Sequence, residues 1–154
     1  MEEIIKRACE RLKVSSPKAF QIEAISALLL GKDVFLSYPT GSGKSLVFQA
    51  LPFAKDYHSQ CEGSCVLVIQ PIIALMLDQM EKLSTLNIKV LRLMHLSERD
   101  EAQKESLDSL LKATVIFASP EAVLDTYRAE MKNAKFGARL AGVAVDESHL
   151  IAKW

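Results

Sequence analysis

The residues best suited to chemistry lie in Tyr38-Pro39-Thr40-Gly41-Ser42-Gly43-Lys44-Ser45. They follow the apolar run Val34-Phe35-Leu36 and precede Leu46-Val47-Phe48-Gln49-Ala50-Leu51, a helix-forming run. Strand, glycine-rich turn, Lys-Ser and helix, in that order, make a phosphate-binding context. Gly41 and Gly43 let the backbone turn tightly and bring its N–H groups close to an anion. Those donors open a helix, where unpaired N–H groups and the helix dipole favour negative charge. Lys44 adds a positive charge for β/γ-phosphates, and Ser45 offers a hydroxyl to Mg²⁺. The generic pattern places Gly at position 38, where this chain has Tyr. The plain rival is a flexible Gly-Ser turn with an incidental lysine. Average residue frequencies give Thr-Gly-x-Gly-Lys-Ser/Thr less than about once in 1,000 chains of this length.

A second cluster, this one acidic, is Asp146-Glu147-Ser148-His149, which follows the apolar run Ala141-Gly142-Val143-Ala144-Val145. Mg²⁺ takes one or two carboxylates together with phosphates and water, so Asp146 and Ser45 are its expected anchors. Glu147 is placed to polarise an attacking water as general base. Taken alone, the two acids would equally suit the N-terminal dipole of a following helix.

The elements that must position these groups alternate along the chain. Residues 2–12 place Ile4, Ile5, Ala8 and Leu12 on one helical face. Ser15-Ser16-Pro17 breaks that helix and opens a second, with Pro17 in its first turn and Gly31 as its stop. Strands are expected at 33–37, 65–69, 88–93, 114–118 and 141–145. Helices are expected at 71–83, with Pro71 at the first position, at 98–112 and at 121–132. Residues 56–64 read as an exposed connection. Five apolar strands alternating with helices imply an α/β domain with a mainly parallel sheet. Ligands bind at the carboxyl ends of such strands. Reading those ends in order gives Pro39-Thr40-Gly41, Gln70-Pro71, Ser119-Pro120-Glu121 and Asp146 to His149, four polar clusters on one sheet edge.

Composition narrows the class. The chain has 154 residues, 49% of them hydrophobic, enough for one core. No apolar run approaches the roughly 18 residues of a membrane span, so no membrane partner is expected. The start, Met-Glu-Glu-Ile-Ile-Lys-Arg, lacks a signal-peptide layout. Cys9, Cys61 and Cys65 are odd in number and poorly spaced for a disulfide frame, which favours a reduced, intracellular setting. His58, Cys61 and Cys65 lack a fourth ligand and a common zinc spacing, so no zinc is expected. Nineteen basic residues balance nineteen acidic ones, so any nucleic-acid contact must come from a local patch.

Thr40-Gly41-Ser42-Gly43-Lys44-Ser45 with Asp146-Glu147-Ser148-His149 resembles the superfamily 2 helicases, and the flanking residues resemble the RecQ type. Pro39 through Leu46 is similar to that family's first ATPase motif, and Gln70 through Met80 to its motif Ia. Ser119-Pro120-Glu121 resembles the Pro-Glu motif that follows. Asp146 through Trp154 is similar to the Asp-Glu-x-His box running into an aromatic-rich loop. The resemblance implies a three-layer, RecA-like ATP-binding domain spanning 1–154 and incomplete at its C-terminus, with 1–16 as a helical lead-in. It implies ATP and Mg²⁺ as cofactors and DNA, single-stranded or 3′-tailed, as partner. It also implies a second RecA-like lobe bearing an arginine finger, and a location in the nucleus or, outside eukaryotes, the cytoplasm. By the same resemblance Gln21 reads the adenine edge, which suits an amide that donates and accepts at once, and Lys18 stands near the base. A solvated helix residue is the other reading of Gln21. His149 couples hydrolysis to DNA binding. Gln70, Pro71, Ser119, Pro120 and Glu121 fall at DNA contacts, although Ser119-Pro120-Glu121 is also a good helix start. Trp154 suits either a stacked base or a core position.

Tyr38, Ser148 and Leu77 depart from the family pattern, and Leu77 weakens the DNA reading of motif Ia. Since the chain ends before motif III, it is expected to bind ATP weakly, hydrolyse hardly any and unwind no DNA. A nucleotide kinase would need phosphate-clamping arginines and a GTPase an Asn-Lys-x-Asp base reader. A non-enzymatic, helicase-like binding module is the stronger alternative.

Overall fold

The computed structural model describes residues 1–39, 41–95 and 104–146. The elements run α1 (Glu2–Glu10), α2 (Ala19–Leu29), α3 (Lys44–Ser59), β1 (Cys65–Ile69), α4 (Ile73–Thr85), β2 (Val90–Leu93), α5 (Leu107–Leu110) and β3 (Val115–Ala118). A π-helical turn (Ala122–Thr126), α6 (Arg128–Met131), α7 (Ala134–Arg139) and β4 (Leu140–Val145) complete the order. The strands pair in parallel in the order β2-β3-β1-β4, with Val68 opposite Phe117 on one side and Ala144 on the other.

Strand periodicity divides the core into two. Val66, Val68, Val115 and Phe117 face α1, α2, α3 and α4, while Cys65, Leu67, Ile116 and Ala118 face Leu110, Ala122, Tyr127 and Phe136. Both faces of the central strands β1 and β3 are largely buried, as their near-continuous apolar runs require, whereas Val143 and Val145 on the edge strand β4 are exposed. The three layers agree with the expected α/β class.

Several elements differ from the sequence expectation. Among the described residues the sheet has four strands rather than about five, because Asp33–Ser37 pairs with nothing and leaves Phe35 84% exposed. Helix α4 begins at Ile73, not at Pro71. Gln70 Oε1 accepts from Ile72 N at 3.1 Å, which holds Ile72 in an extended N-cap conformation, and the first helical bond runs from Met76 N to Ile72 O. Pro17 likewise lies outside α2, one residue before the N-cap Lys18. Only Leu107–Leu110 of the expected 98–112 helix is described as α-helix, capped by Ser106 Oγ.

The expected helix over 121–132 is broken. Tyr127 N bonds Ala122 O at 2.8 Å, the five-residue step of a π turn, which swings Tyr127 into full burial. Its hydroxyl there accepts from Glu105 N. Asn133 Oδ1 then accepts from Lys135 N and Phe136 N and starts α7, which sequence reading did not foresee. Residues 56–59 belong to α3, which runs through Pro52, so the exposed connection narrows to 60–64.

Other signals hold. Gly31, at φ 81°, ends α2 with Lys32 N to Ala27 O and Gly31 N to Leu28 O, the double bond of a left-handed helix stop. Gly142 lets α3 lie close to β4, since a Cβ there would stand 2.8 Å from Leu51 Cδ2. No described helix is long and apolar enough to cross a membrane.

Arg139 closes the opposite edge of the sheet, donating from Nε to Gly63 O (2.6 Å), Nη1 to Leu110 O (3.0 Å) and Nη2 to Ala113 O (2.9 Å). Replacing it by Met leaves three carbonyls without their charged donor. Bonds to charged groups contribute more than neutral ones, so Arg139→Met should lose on the order of 2–3 kcal/mol in urea unfolding. A loss within error of zero would show that water replaces the guanidinium.

Cysteine reactivity offers a second check. Burial pushes the Cys9 thiol up to about 11 and raises Cys65 as well, whereas Cys61 is exposed. A raised thiol pKa means little thiolate at pH 8. Iodoacetamide at that pH should label Cys61 alone in the native chain and all three cysteines in denaturant; native labelling at Cys9 or Cys65 by mass spectrometry would contradict this packing.

Candidate functional site

The phosphate loop is held from behind by the start of α2. Lys18 Nζ donates to Ser42 O at 2.9 Å, and Gln21 Nε2 donates to Gly43 O at 2.8 Å. Peptide planes are trans, so each carbonyl fixes the opposite direction of the next N–H. Tying the carbonyls of Ser42 and Gly43 to α2 therefore turns the N–H groups of Gly43 and Lys44 away from it. Gly41 and Gly43 stand at φ 85° and 91°, which only glycine adopts without strain, and Gly43 caps α3. A Cβ on Gly43 would also stand 2.6 Å from Gln21 Nε2. The Ser42 Oγ is buried with no hydrogen-bond partner among the described residues.

Gln21 is buried rather than a solvated helix residue, at 4% exposure. Its Oε1 accepts from the N-cap amide of Lys18 at 2.7 Å, so both ends of its amide are engaged locally. Tyr38, the departure from the generic pattern, stacks on Phe20 with ring centroids 4.1 Å apart. That contact ties the loop's entry to α2 as well. Nothing in the residue spacing signalled it.

Lys44 and Asp146 line one cleft of about 490 Å³ between residues 34–39 and β4. Most of its wall is apolar, including Leu28, Phe48 and Leu51, and is the flank that unpaired residues 33–37 leave open. Among the described lining residues, Lys44 and Asp146 are the charged ones. Ser45 follows Lys44 in the first turn of α3 and is partly buried.

Three of the four expected strand ends come together; the fourth, before Pro39-Thr40-Gly41, is missing because residues 33–37 join no sheet. Gln70 N donates to Ala118 O, and Asp146 N donates to Ile69 O, which brings the ends of β3, β1 and β4 side by side. Gln70 is fully buried and donates Nε2 to Asp146 Oδ2 at 2.9 Å. Gln79 Nε2 reaches the same oxygen at 3.4 Å, and Gln49 Nε2 donates to Gln79 Oε1 at 3.3 Å. Sequence reading missed Gln49 and Gln79. The available signal was a polar residue inside the apolar run Leu46–Leu51. Ser119 Oγ accepts from Ala122 N at 3.2 Å, so it caps the turn that Pro120 and Glu121 open; Pro120 is buried and Glu121 exposed. Pro71 is partly buried beside Gln70. Thr40, Glu147, Ser148, His149 and Trp154 lie outside the described residues.

Residues 18–154 match the family model of the DEAD/DEAH box helicases. The chain is 31% identical to the ATP-dependent helicase SGS1 of Saccharomyces cerevisiae over 99% of its own length and 11% of the relative's. It is 33% identical to the ATP-dependent DNA helicase Q1 of Rattus norvegicus, covering 92% of the chain and 22% of that protein. It is also 33% identical to the ATP-dependent DNA helicase RecQ of Pasteurella multocida, covering 87% of the chain and 20% of that protein. The chain thus spans under a quarter of the length of these relatives. The crystal structure of the DUF1998 helicase MrfA bound to DNA superposes with a TM-score of 0.67 at 18% identity, over 91% of this chain and 20% of that one, and speaks for the fold. With its phosphate loop, its Asp146 at a parallel strand end and these relatives, the chain belongs to the DEAD/DEAH box helicase family, on its RecQ side.

Proposed function

We propose that this chain is the ATP- and Mg²⁺-binding lobe of a 3′–5′ DNA helicase of RecQ type, residues 1–154 forming one RecA-like domain with 1–16 as its lead-in. The observation that carries the reading is the orientation of the loop. With the Ser42 and Gly43 carbonyls tied to Lys18 and Gln21, the N–H groups of Gly43 and Lys44 face away from α2 beside the Lys44 side chain.

The donors suit a magnesium nucleotide. Asp146 brings a carboxylate held by amides, Ser45 a hydroxyl at the helix start, and Lys44 a cation lining the same cleft as Asp146. Mg²⁺ prefers such hard oxygen ligands together with phosphates, and when bound it neutralises charge on the transferred phosphoryl group. The orphaned Ser42 hydroxyl gives the loop one more polar group to offer a ligand.

In this reading Lys44 binds the β/γ-phosphates, and Thr40 through Ser45 form the cradle. Asp146 and Ser45 hold the metal, and Glu147 takes a proton from the attacking water. Gln21 and Lys18 sit at the base. To present its amide edge to adenine, Gln21 must give up its bond to Gly43 O or to Lys18 N. DNA, single-stranded or 3′-tailed, is met by Pro71, Ser119 and Glu121, whereas the expected contacts of Gln70 and Pro120 are corrected to supporting roles because both are buried; His149 is the coupling residue and Trp154 lies near the strand. A second lobe closes the site with an arginine, a contribution worth on the order of 10³–10⁵ in rate in P-loop enzymes. The setting is intracellular.

Two substitutions in the whole protein that carries this lobe separate an enzyme from a binding module. Lys44→Ala and Glu147→Gln should each lower DNA-stimulated ATP hydrolysis by about 100-fold or more, with Glu147→Gln still binding nucleotide. Unchanged hydrolysis in both would leave only the binding-module reading. The isolated chain should bind ATP weakly and open no duplex; strand separation by purified residues 1–154 in a fluorescence unwinding assay would overturn the need for a second lobe.

A further inference from the structure

Two glutamines outside the nucleotide reading join the phosphate-loop helix to the carboxylate of Asp146. Gln49 projects from α3 and donates Nε2 to Gln79 Oε1 on α4, and Gln79 donates Nε2 to Asp146 Oδ2. The polarity of this chain of amides has one solution. An ionised carboxylate only accepts, so Gln79 must present its NH₂ to Asp146; its carbonyl then faces α3, and Gln49 must present NH₂ in turn. Reversing either amide would set oxygen against oxygen or N–H against N–H.

The three bonds are unequal. Gln70, fully buried, donates to Oδ2 at 2.9 Å and is itself fixed by accepting from Ile72 N. The Gln79 links, at 3.3 and 3.4 Å, lie at the long end of the hydrogen-bond range. Moving α4 by a few tenths of an ångström therefore makes or breaks them, while the Gln70 bond persists.

The geometry points to Gln79, backed by Gln49, as a positioning residue that sets the aim of the Asp146 carboxylate according to where α4 lies against α3. This deepens the reading above and rests on Asp146 being a metal anchor. The consequence is that metal affinity depends on the seating of α4, the helix that follows the Gln70-Pro71 turn. Outer partners of a metal-binding carboxylate typically contribute 10–100-fold in metal affinity. Since Gln70 remains, removal of the Gln79 amide should fall near the lower end.

The test is equilibrium binding of a fluorescent mant-ADP to the purified chain, in EDTA and across a Mg²⁺ titration, for Gln79→Leu, Gln49→Leu and the double variant. Affinity in EDTA should match the parent chain in all three, because the phosphate loop is untouched. The gain in affinity on adding Mg²⁺ should shrink about tenfold in Gln79→Leu and less in Gln49→Leu. The double variant should be no worse than Gln79→Leu, since Gln49 acts through Gln79. A full Mg²⁺ gain in Gln79→Leu, or losses that multiply in the double variant, would overturn the relay and leave the nucleotide reading standing. If the parent chain binds no nucleotide in either buffer, the nucleotide reading fails first and the relay with it. Should Gln79→Leu lose binding in EDTA through misfolding, Gln49→Leu carries the test: a reduced Mg²⁺ gain supports the relay, and an unchanged gain overturns it.

Discussion

The direction in which the phosphate loop faces is the constraint on which the rest of the site depends, and helix α2 sets it. A glycine-rich turn has many conformations, and ordering it costs backbone entropy at each residue. Here three tethers to α2 meet that cost: the Lys18 ammonium on Ser42 O, the Gln21 amide on Gly43 O, and the Tyr38 ring on Phe20. The first two, on the Ser42 and Gly43 carbonyls, act on the side away from the N–H groups of Gly43 and Lys44. Gly43 meets two demands together. Its φ of 91° suits glycine alone, and the 2.6 Å between its virtual Cβ and Gln21 Nε2 shows that any side chain would push the amide off the loop. The glycine and the glutamine are one device, although 22 residues separate them.

The acidic side of the site follows from parallel register. Ile69 lies opposite Val145 and also opposite Ala118, so the next residues along β1 and β4, Gln70 and Asp146, leave the sheet together, with Ser119 beside them after β3. Backbone bonds from Gln70 N and Asp146 N extend the ladder one step past the assigned strands. The side chains that meet at Oδ2 do so because the backbone has already set their roots side by side. The sheet edge is thus a positioning device, and the loop held by α2 stands next to it.

Much of this was legible from residue pattern, and the failures have physical reasons. Strands buried on both faces, such as Val66–Val68 and Val115–Phe117, read as plain apolar runs and were found. Val34-Phe35-Leu36 has the same composition but pairs with no neighbouring strand, and a strand is a property of a pair. Pro71 looked like a helix start, yet Gln70's side chain takes the Ile72 amide and delays α4 to Ile73. The π turn depends on Tyr127 finding Glu105 N across 22 residues, a long-range fact with no local signature. Lys44 and Asp146 line one cleft, and Gln70, Ser119 and Asp146 leave neighbouring parallel strands, because strand ends can be read locally and the parallel topology does the rest. Gln49 and Gln79 escaped notice because an amide is chemically mute in a sequence; its role depends on what it faces.

Gln70 and Gln79, which donate to Asp146 Oδ2, are uncharged amides, and this suits the proposed metal anchor. A lysine or arginine at the same oxygen would orient the carboxylate but also oppose the approach of a divalent cation by like-charge repulsion. An amide N–H orients the group without adding a charge of its own. The distances at that oxygen then divide the task between a short bond from an immobile residue at a strand end and a long one from a residue on a surface helix. The first makes the site present in every seating of the helix, and the second makes its aim sensitive to that seating. On the proposed reading of Asp146 as a metal anchor, a lobe that holds this carboxylate ready yet responds to what α4 meets needs both kinds of bond on one oxygen.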